Sequence, residues 1–357
     1  MTTAVHRVAI AGAGLLGRLL AWQLAGAGCE VSVFDPAPGP GERGAAGWTA
    51  AGMLSPWAEL ECADLQVARL GQRSLDLWPQ LLAGLPSPVD FQRRGSLLLA
   101  HAADLGAARR LLGVLASKVP GEATPQSLTP AALRQLEPCL HGAAHAWLLE
   151  PEGQIHPVQA MQALAEGATL RGVRWHWQRP VQTLSPRRLR CGDAEFGFDW
   201  VFDVRGVGAR PEMPVRGVRG EIVWLHAPGV ALGRPVRLLH PRWRVYLVPR
   251  PGDVIVVGAT EIESEDRSPV SVRSLLGLLS AAHSVLPELA EARLVHTEVN
   301  LRPALADNLP RIESCEGLTR INGLFRHGWL IAPALVEQAL QDLALPLRRA
   351  DVMETMR

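Results

Sequence analysis

The chain has 357 residues, 48% of them hydrophobic, enough for one large or two ordinary domains with a sizeable core. A formal net charge of +1 without any Lys/Arg run argues against nucleic acid as the main partner. No apolar stretch approaches the roughly 20 residues of a membrane span, no signal-peptide layout opens the chain, and the five cysteines are scattered without a CxxC pair. Neither a disulfide framework nor a zinc site is expected, and a cytoplasmic location follows.

The first element is Val8-Ala-Ile-Ala-Gly-Ala-Gly-Leu-Leu-Gly17, a buried parallel strand running into a glycine turn and a helix over 15–27. Gly12 serves the tight turn, Gly14 makes room for a pyrophosphate, and Gly17 permits close helix–strand packing. Ala13, Leu15 and Leu16 complete the loop and the helix start, where free N–H groups and the dipole favour anions. A second strand over 31–35 ends in Asp35, about 18 residues past Gly17, where a carboxylate can accept hydrogen bonds from a ribose. A dinucleotide site is the reading.

A loop over 36–44 follows, then a segment of small residues over 45–56 that can lie against a flat ligand. The pattern next predicts an amphipathic helix over 64–85, a strand over 94–100, and helices over 103–117 and 129–136, the latter capped by Thr129. A strand over 144–150 leads to a loop over 151–157, in which His156 is a loop histidine, and to a helix over 157–167. Short strands over 173–177, 181–184 and 198–203 feed a second glycine loop, where Gly206 lets backbone approach a ligand. From Arg219 the texture turns antiparallel, with strands over 220–226, 236–240, 244–249 and 253–260. A charged loop over 261–267, a helix over 270–285, a strand over 294–300, a turn over 301–304, a strand over 318–323, a helix over 328–340 and a charged tail complete the chain. The histidines show no metal-ligand spacing, so no metal is expected.

Seven blocks resemble one family. They are Gly12-Ala-Gly-Leu-Leu-Gly17 with Asp35, Thr49-Ala-Ala-Gly-Met-Leu54, Pro214-Val-Arg-Gly-Val-Arg-Gly-Glu221, Val245-Tyr-Leu-Val-Pro249, Val257-Gly-Ala-Thr260, Leu301-Arg-Pro-Ala-Leu-Ala-Asp-Asn-Leu-Pro310 and Asn322-Gly-Leu-Phe-Arg-His-Gly-Trp-Leu-Ile-Ala-Pro-Ala334. In this order they are similar to the flavin-dependent D-amino acid oxidase superfamily, and within it to the glycine oxidases of thiamine biosynthesis. The resemblance implies an α/β fold with an α+β second domain. A Rossmann-like FAD-binding domain is built from 1–87, 150–213 and 300–357, and an antiparallel-sheet substrate domain from 88–149 and 214–299, both discontinuous.

The resemblance also implies FAD rather than NAD, and a role for each matching position. Asp35 holds the adenosine ribose, where the family more often has Glu. Val181 touches the adenine side, and Thr49, Ala51, Gly52 and Met53 line the flavin and its ribityl chain. Arg326, His327, Gly328, Trp329 and Leu330 lie where a helix N-terminus faces the pyrimidine end of the ring and stabilises the charge of reduced flavin. Tyr246 and Arg302 bind the substrate carboxylate, and Arg326 serves either the substrate or the flavin loop. Two departures stand out: Arg205 is bulky beside Gly206, and a small residue is missing after Ala334.

The implied reaction passes a hydride from Cα of a small amino acid, glycine first, to flavin N5, with dioxygen as acceptor. Its products are an imine or oxo acid, ammonia and hydrogen peroxide, or an imine delivered to thiazole synthesis. Alternatives keep the fold: the same chemistry on another D-amino acid or N-methyl amino acid, a dehydrogenase with another electron acceptor, or a non-catalytic flavin-binding partner. Retention of both Arg302 and Tyr246 argues against the last. Covalent flavin attachment through Cys315, in a polar turn, and a homo-oligomer are compatible with the resemblance.

Overall fold

The computed structural model describes residues 5–61, 63–119, 125–239 and 244–343, so the charged tail lies outside the described residues. The glycine turn joins the strand Arg7–Ala11 to helix α1 (Leu15–Gly26). The strand's last four residues are fully buried, as expected of a central strand with both faces covered. It lies inside a six-stranded sheet, in the order Arg311–Cys315, Leu318–Asn322, Trp200–Asp203, Arg7–Ala11, Glu30–Phe34, Arg174–His176. All neighbours run parallel except the antiparallel edge pair of 311–315 and 318–322.

The remaining helices are α2 (Leu65–Ala83), α3 (Leu105–Lys118), α4 (Pro130–Leu136), α5 (Pro157–Leu170), α6 (Val272–Val285) and α7 (Gly328–Gln341). Asp64, Thr129 and Ser271 cap α2, α4 and α6 by accepting backbone N–H groups that have no partner inside the helix. Helices α1, α2, α5 and α7 share one core, in which Trp78 stacks on Trp329 with ring centroids 5.5 Å apart. The Trp78 indole N–H also donates to the Trp329 carbonyl at 3.1 Å, so the start of α7 is fixed from behind.

The second large sheet has eight strands, in the order Arg293–Ala304, Arg216–His226, Val254–Gly258, Arg244–Arg250, Val236–Leu239, Ser96–Ala100, His145–Leu149, Gln126–Leu128. Only Val236–Leu239 and Ser96–Ala100 run parallel; the other pairs are antiparallel. Its core packs one face against α6.

Several elements differ from the sequence reading. The expected turn over 301–304 is the end of the long strand Arg293–Ala304. That strand is at a sheet edge, where Pro303 needs no ladder donor on its outer side. It also runs across position 300, and we propose the domain boundary after Ala304 instead. The expected loop over 151–157 contains the strand Gly153–Ile155, which bridges Met53–Leu54 and Phe91–Gln92 in a small sheet. His156 then accepts the Gln159 N–H at 3.5 Å and starts α5. Strands Arg188–Cys191 and Ala194–Gly197 were not anticipated; the positive φ of Arg187 and Gly192 makes the two tight turns that separate them from each other and from Thr183–Ser185. Cys315 closes the strand Arg311–Cys315 rather than sitting in a turn.

Candidate active site

A cavity of about 1220 Å³ runs between the two large sheets. At one end it is lined by Gly12, Ala13, Gly14, Leu15, Leu16 and Asp35. Gly12 has φ +106°, and a Cβ there would sit 2.8 Å from the Val204 carbonyl oxygen. A Cβ on Gly17 would lie 1.9 Å from the Gly12 carbonyl oxygen, so only glycine lets α1 approach the turn. Gly14 caps α1 without a side chain, leaving the first N–H groups of the helix to the cavity.

Asp35 lies one residue past its strand and has a structural task beside any ribose contact. Oδ2 accepts the Ala13 N–H at 2.6 Å and Oδ1 the Ala37 N–H at 2.8 Å. Each oxygen keeps a lone pair for a hydroxyl donor. Beneath the same turn Arg18, 1% exposed, donates to the carbonyls of Ala13, Met161 and Pro40 at 2.8, 2.7 and 2.7 Å. Burial lowers its guanidinium to about 10, and its plane faces Trp48 at 5.0 Å.

The second glycine loop is open as well. Arg205 does not crowd Gly206: its guanidinium folds back onto buried Asp203 at 2.8 Å and Glu212 at 3.3 Å, and it donates to the Val181 carbonyl at 3.1 Å. Gly206 has φ +58°, and its carbonyl accepts from Asn322 Nδ2 at 2.9 Å.

Midway along the cavity the small-residue segment is pinned from behind. Asn300 Nδ2 donates to Thr49 Oγ1 at 3.1 Å and to the Ala45 carbonyl at 3.2 Å. The Arg250 guanidinium donates to the Ala51 carbonyl. Gly52 has φ +67°, and a Cβ there would lie 2.1 Å from the Ile155 carbonyl oxygen. Thr49, Ala51, Gly52 and Met53 therefore present backbone and small side chains to the cavity, together with His327, Gly328, Trp329 and Leu330 at the start of α7. The Trp329 indole donates to the Gly47 carbonyl at 2.9 Å and ties the two segments together.

The far end collects Tyr246, Arg302 and Arg326, as the sequence reading grouped them, and adds Glu59 and Arg237. Burial pushes the Tyr246 phenol up, so it stays a neutral donor. Its ring lies over Gly258, where a Cβ would come within 2.6 Å of the hydroxyl oxygen. Arg302 Nη1 donates to the Thr260 carbonyl at 2.9 Å, and Gly220 leaves it room, since a Cβ there would be 2.4 Å from its Cζ. Among the described residues no carboxylate lies within 4.0 Å of the Arg302 guanidinium. Arg326 is different: Glu59 lies at 3.2 Å and Glu261 at 3.0 Å.

Glu152 stands behind this end, fully buried. Its Oε1 accepts the N–H groups of Trp57 and Ala58 at 3.1 and 2.9 Å, and Oε2 accepts from the Ser96 hydroxyl. These bonds fix the short turn Ala58–Glu61 that carries Glu59. Burial pushes the Glu152 carboxyl up to about 6, against the pull of Ser96 and the Ala58 N–H. A raised folded pKa means that the folded state binds the extra proton, so stability falls as pH rises from the usual carboxyl value through about 6. The cost is about 2 kcal/mol once the group is ionised. Glu152→Gln keeps the acceptor and removes the charge. Urea unfolding of both proteins at pH 4.5 and 7 is expected to show the wild type losing ground to the variant by that amount; a constant difference would contradict it.

The sequence reading missed Arg18, Glu59, Glu152, Arg237, Arg250 and Asn300. Only Asn300 had a visible signal, its place two residues before Arg302. The others gain their roles from distant partners.

Comparisons with known proteins give the family. Residues 7–339 match the model of the DAO family, described as FAD dependent oxidoreductase. The chain is 38% identical to a protein of Rhizobium etli named as the thiamine biosynthesis oxidoreductase ThiO, over 96% of this chain and 99% of that one. It is 27% identical to a glycine oxidase of Geobacillus kaustophilus, over 92% of this chain and 90% of that protein. Among solved structures it is similar to the glycine oxidase from Geobacillus kaustophilus, with a TM-score of 0.80, 25% identity and coverage of 97% and 98%. It is equally similar to the iminodiacetate oxidase from Chelativorans, with a TM-score of 0.81, 25% identity and coverage of 96% and 98%.

Proposed function

Because this chain belongs to the DAO family of FAD-dependent oxidoreductases, we propose that it oxidises glycine or another small amino acid and serves thiamine biosynthesis. The cavity suits FAD on its own evidence. It is larger than a small metabolite needs, and its turn closes only with glycine at positions 12 and 17, which brings the uncapped first N–H groups of α1 to the cavity. In the proposed arrangement Gly12–Gly17 and the start of α1 hold the pyrophosphate, Asp35 the ribose, Val181 the adenine side, and Thr49–Met53 with His327–Leu330 the flavin. When bound, the flavin supplies the acceptor for the hydride that leaves the substrate's Cα.

The chain's own residues bind and orient. Arg302 holds the substrate carboxylate in a guanidinium fork, and Tyr246 adds a neutral donor beside it. With the carboxylate so fixed, the Cα–H has one direction to face. The substrate amine reacts in its neutral form. Its oxidation to an imine and hydrolysis to an oxo acid and ammonia are completed by dioxygen taking up the two electrons and two protons as hydrogen peroxide. The observation that carries this reading is Arg302, a half-buried guanidinium in the cavity wall that donates to the Thr260 and Arg219 carbonyls and has no carboxylate within 4.0 Å among the described residues.

The test is anaerobic mixing of the yellow protein with glycine, sarcosine and D-alanine. Bleaching by glycine is expected, and persistence of the yellow colour with all three would end the substrate reading. Peroxide formation on readmitting oxygen distinguishes an oxidase from a dehydrogenase. The similarity to an iminodiacetate oxidase supports a second reading, an N-substituted glycine as substrate, which the same panel resolves.

A further inference from the structure

Of the guanidinium groups that line the cavity, three, those of Arg237, Arg302 and Arg326, gather around Tyr246 and Glu59, with Arg267 and Arg273 elsewhere in the wall. A ligand with two carboxylates would find a partner for each if all three were available. They are not. Glu59 Oε1 lies 3.1 Å from Arg237 Nη1, and Glu59 Oε2 lies 3.2 Å from Arg326 Nε and 3.1 Å from His327 Nε2. Arg237 further donates to the Ala58 carbonyl at 2.9 Å, with Glu61 at 3.5 Å, and Arg326 reaches Glu261 at 3.0 Å. Burial works against the Glu59 charge, but Arg326, Arg237 and His327 outweigh it and hold the carboxyl well below its ordinary range. The carboxylate comes from one short turn, Arg237 from a strand of the eight-stranded sheet, and Arg326 and His327 from the approach to α7.

We propose that Glu59 is a positioning residue that makes this a one-carboxylate site: it engages Arg237 and Arg326 and leaves Arg302 alone to take the ligand's carboxylate. The proposal rests on the reading of Arg302 as the carboxylate anchor. A second carboxylate placed beside this cluster would meet an ionised Glu59 and two guanidinium groups already paired with it, and would lose its hydration for at most the one Arg237 N–H that lacks a hydrogen bond. Neutral side groups escape that cost. The site therefore selects monocarboxylic amines against dicarboxylic ones.

Binding can be read without turnover, by titrating the flavin absorbance of the FAD-loaded protein with glycolate and with malonate. The wild type is expected to bind glycolate at least about tenfold more tightly than malonate, the value of one charge-assisted hydrogen bond gained or lost. Glu59→Gln frees the two guanidinium groups from their anion; malonate should tighten by about tenfold or more while glycolate stays within about threefold. Glu59→Asp, which keeps the charge, should restore the wild-type preference. A change of equal size for both acids in Glu59→Gln would make Glu59 a structural residue only and overturn the proposal. Equal binding of the two acids by the wild type overturns it without any variant. Arg302→Ala separates the two levels: loss of glycolate binding there with an unmoved preference in Glu59→Gln overturns this inference alone, whereas unchanged glycolate binding in Arg302→Ala overturns the anchor reading as well.

Discussion

Arg302→Ala is expected to keep FAD and to lose about 10³-fold in kcat/KM for glycine. The guanidinium is half-buried in the cavity wall, its plane is free of carboxylate partners among the described residues, and its one well-placed donor is spent on the Thr260 carbonyl. The donors that remain can form two parallel charge-assisted bonds to a substrate carboxylate, worth roughly 4 kcal/mol together where water is excluded. That figure corresponds to about three decades in rate. Arg302→Lys returns a point charge without the fork and should recover only part of the loss. Steady-state kinetics with the flavin content measured from the visible spectrum checks both variants. An alanine variant within about tenfold of wild type would remove Arg302 from the substrate site. Arg326→Ala is expected to do less damage to carboxylate binding, because that guanidinium is held by Glu59 and Glu261.

The contrast between these two arginines marks what the sequence could and could not disclose. Gly12, Gly17 and Gly52 were legible because a positive φ or a close backbone approach leaves glycine as the one residue that fits. Helices α1, α2, α5, α6 and α7 were legible from their apolar periodicity and caps, within a residue or three at the ends. The strand through Leu301–Ala304 was not, because Pro303 reads equally as turn former and as edge-strand residue until the sheet order is known. Arg205 carries the same lesson for a side chain. Its size suggested crowding at Gly206, but its direction is set by Asp203 and Glu212. The Glu59 cluster lay furthest out of reach. Its arginines stand 178 and 267 positions along the chain, and no local pattern reports which acid will neutralise which base. Sequence motifs assigned Arg302 to the substrate carboxylate and left Arg326 between substrate and flavin loop, and the ion pairs of Arg326 with Glu59 and Glu261 separate the two further.

The cofactor end yields the other large effect. Arg18→Met is expected to weaken FAD binding by about 100-fold and to cost the apoprotein about 2–3 kcal/mol. Arg18 holds three segments at once through their carbonyls: Ala13 in the glycine turn, Pro40 in the loop after the second strand, and Met161 in α5. Methionine fills the space beside Trp48 but returns none of these bonds, and each buried carbonyl left without a donor costs about 1 kcal/mol or more. The stability loss belongs to that term. The affinity loss has a second source. Among the described residues no carboxylate lies within 4.0 Å of Arg18; Asp35 offsets its charge only from beyond that distance, and the remainder acts on an anion bound over Gly12–Gly17. Arg18→Lys separates the two, since an ammonium keeps the charge but cannot span three carbonyls in the same geometry. The lysine variant should therefore show most of the stability loss and the smaller part of the affinity loss. Urea unfolding of the apoproteins, with FAD titration followed by flavin fluorescence, measures both terms independently of turnover. A methionine variant that binds FAD within about threefold of wild type would reduce Arg18 to a packing residue beneath the turn.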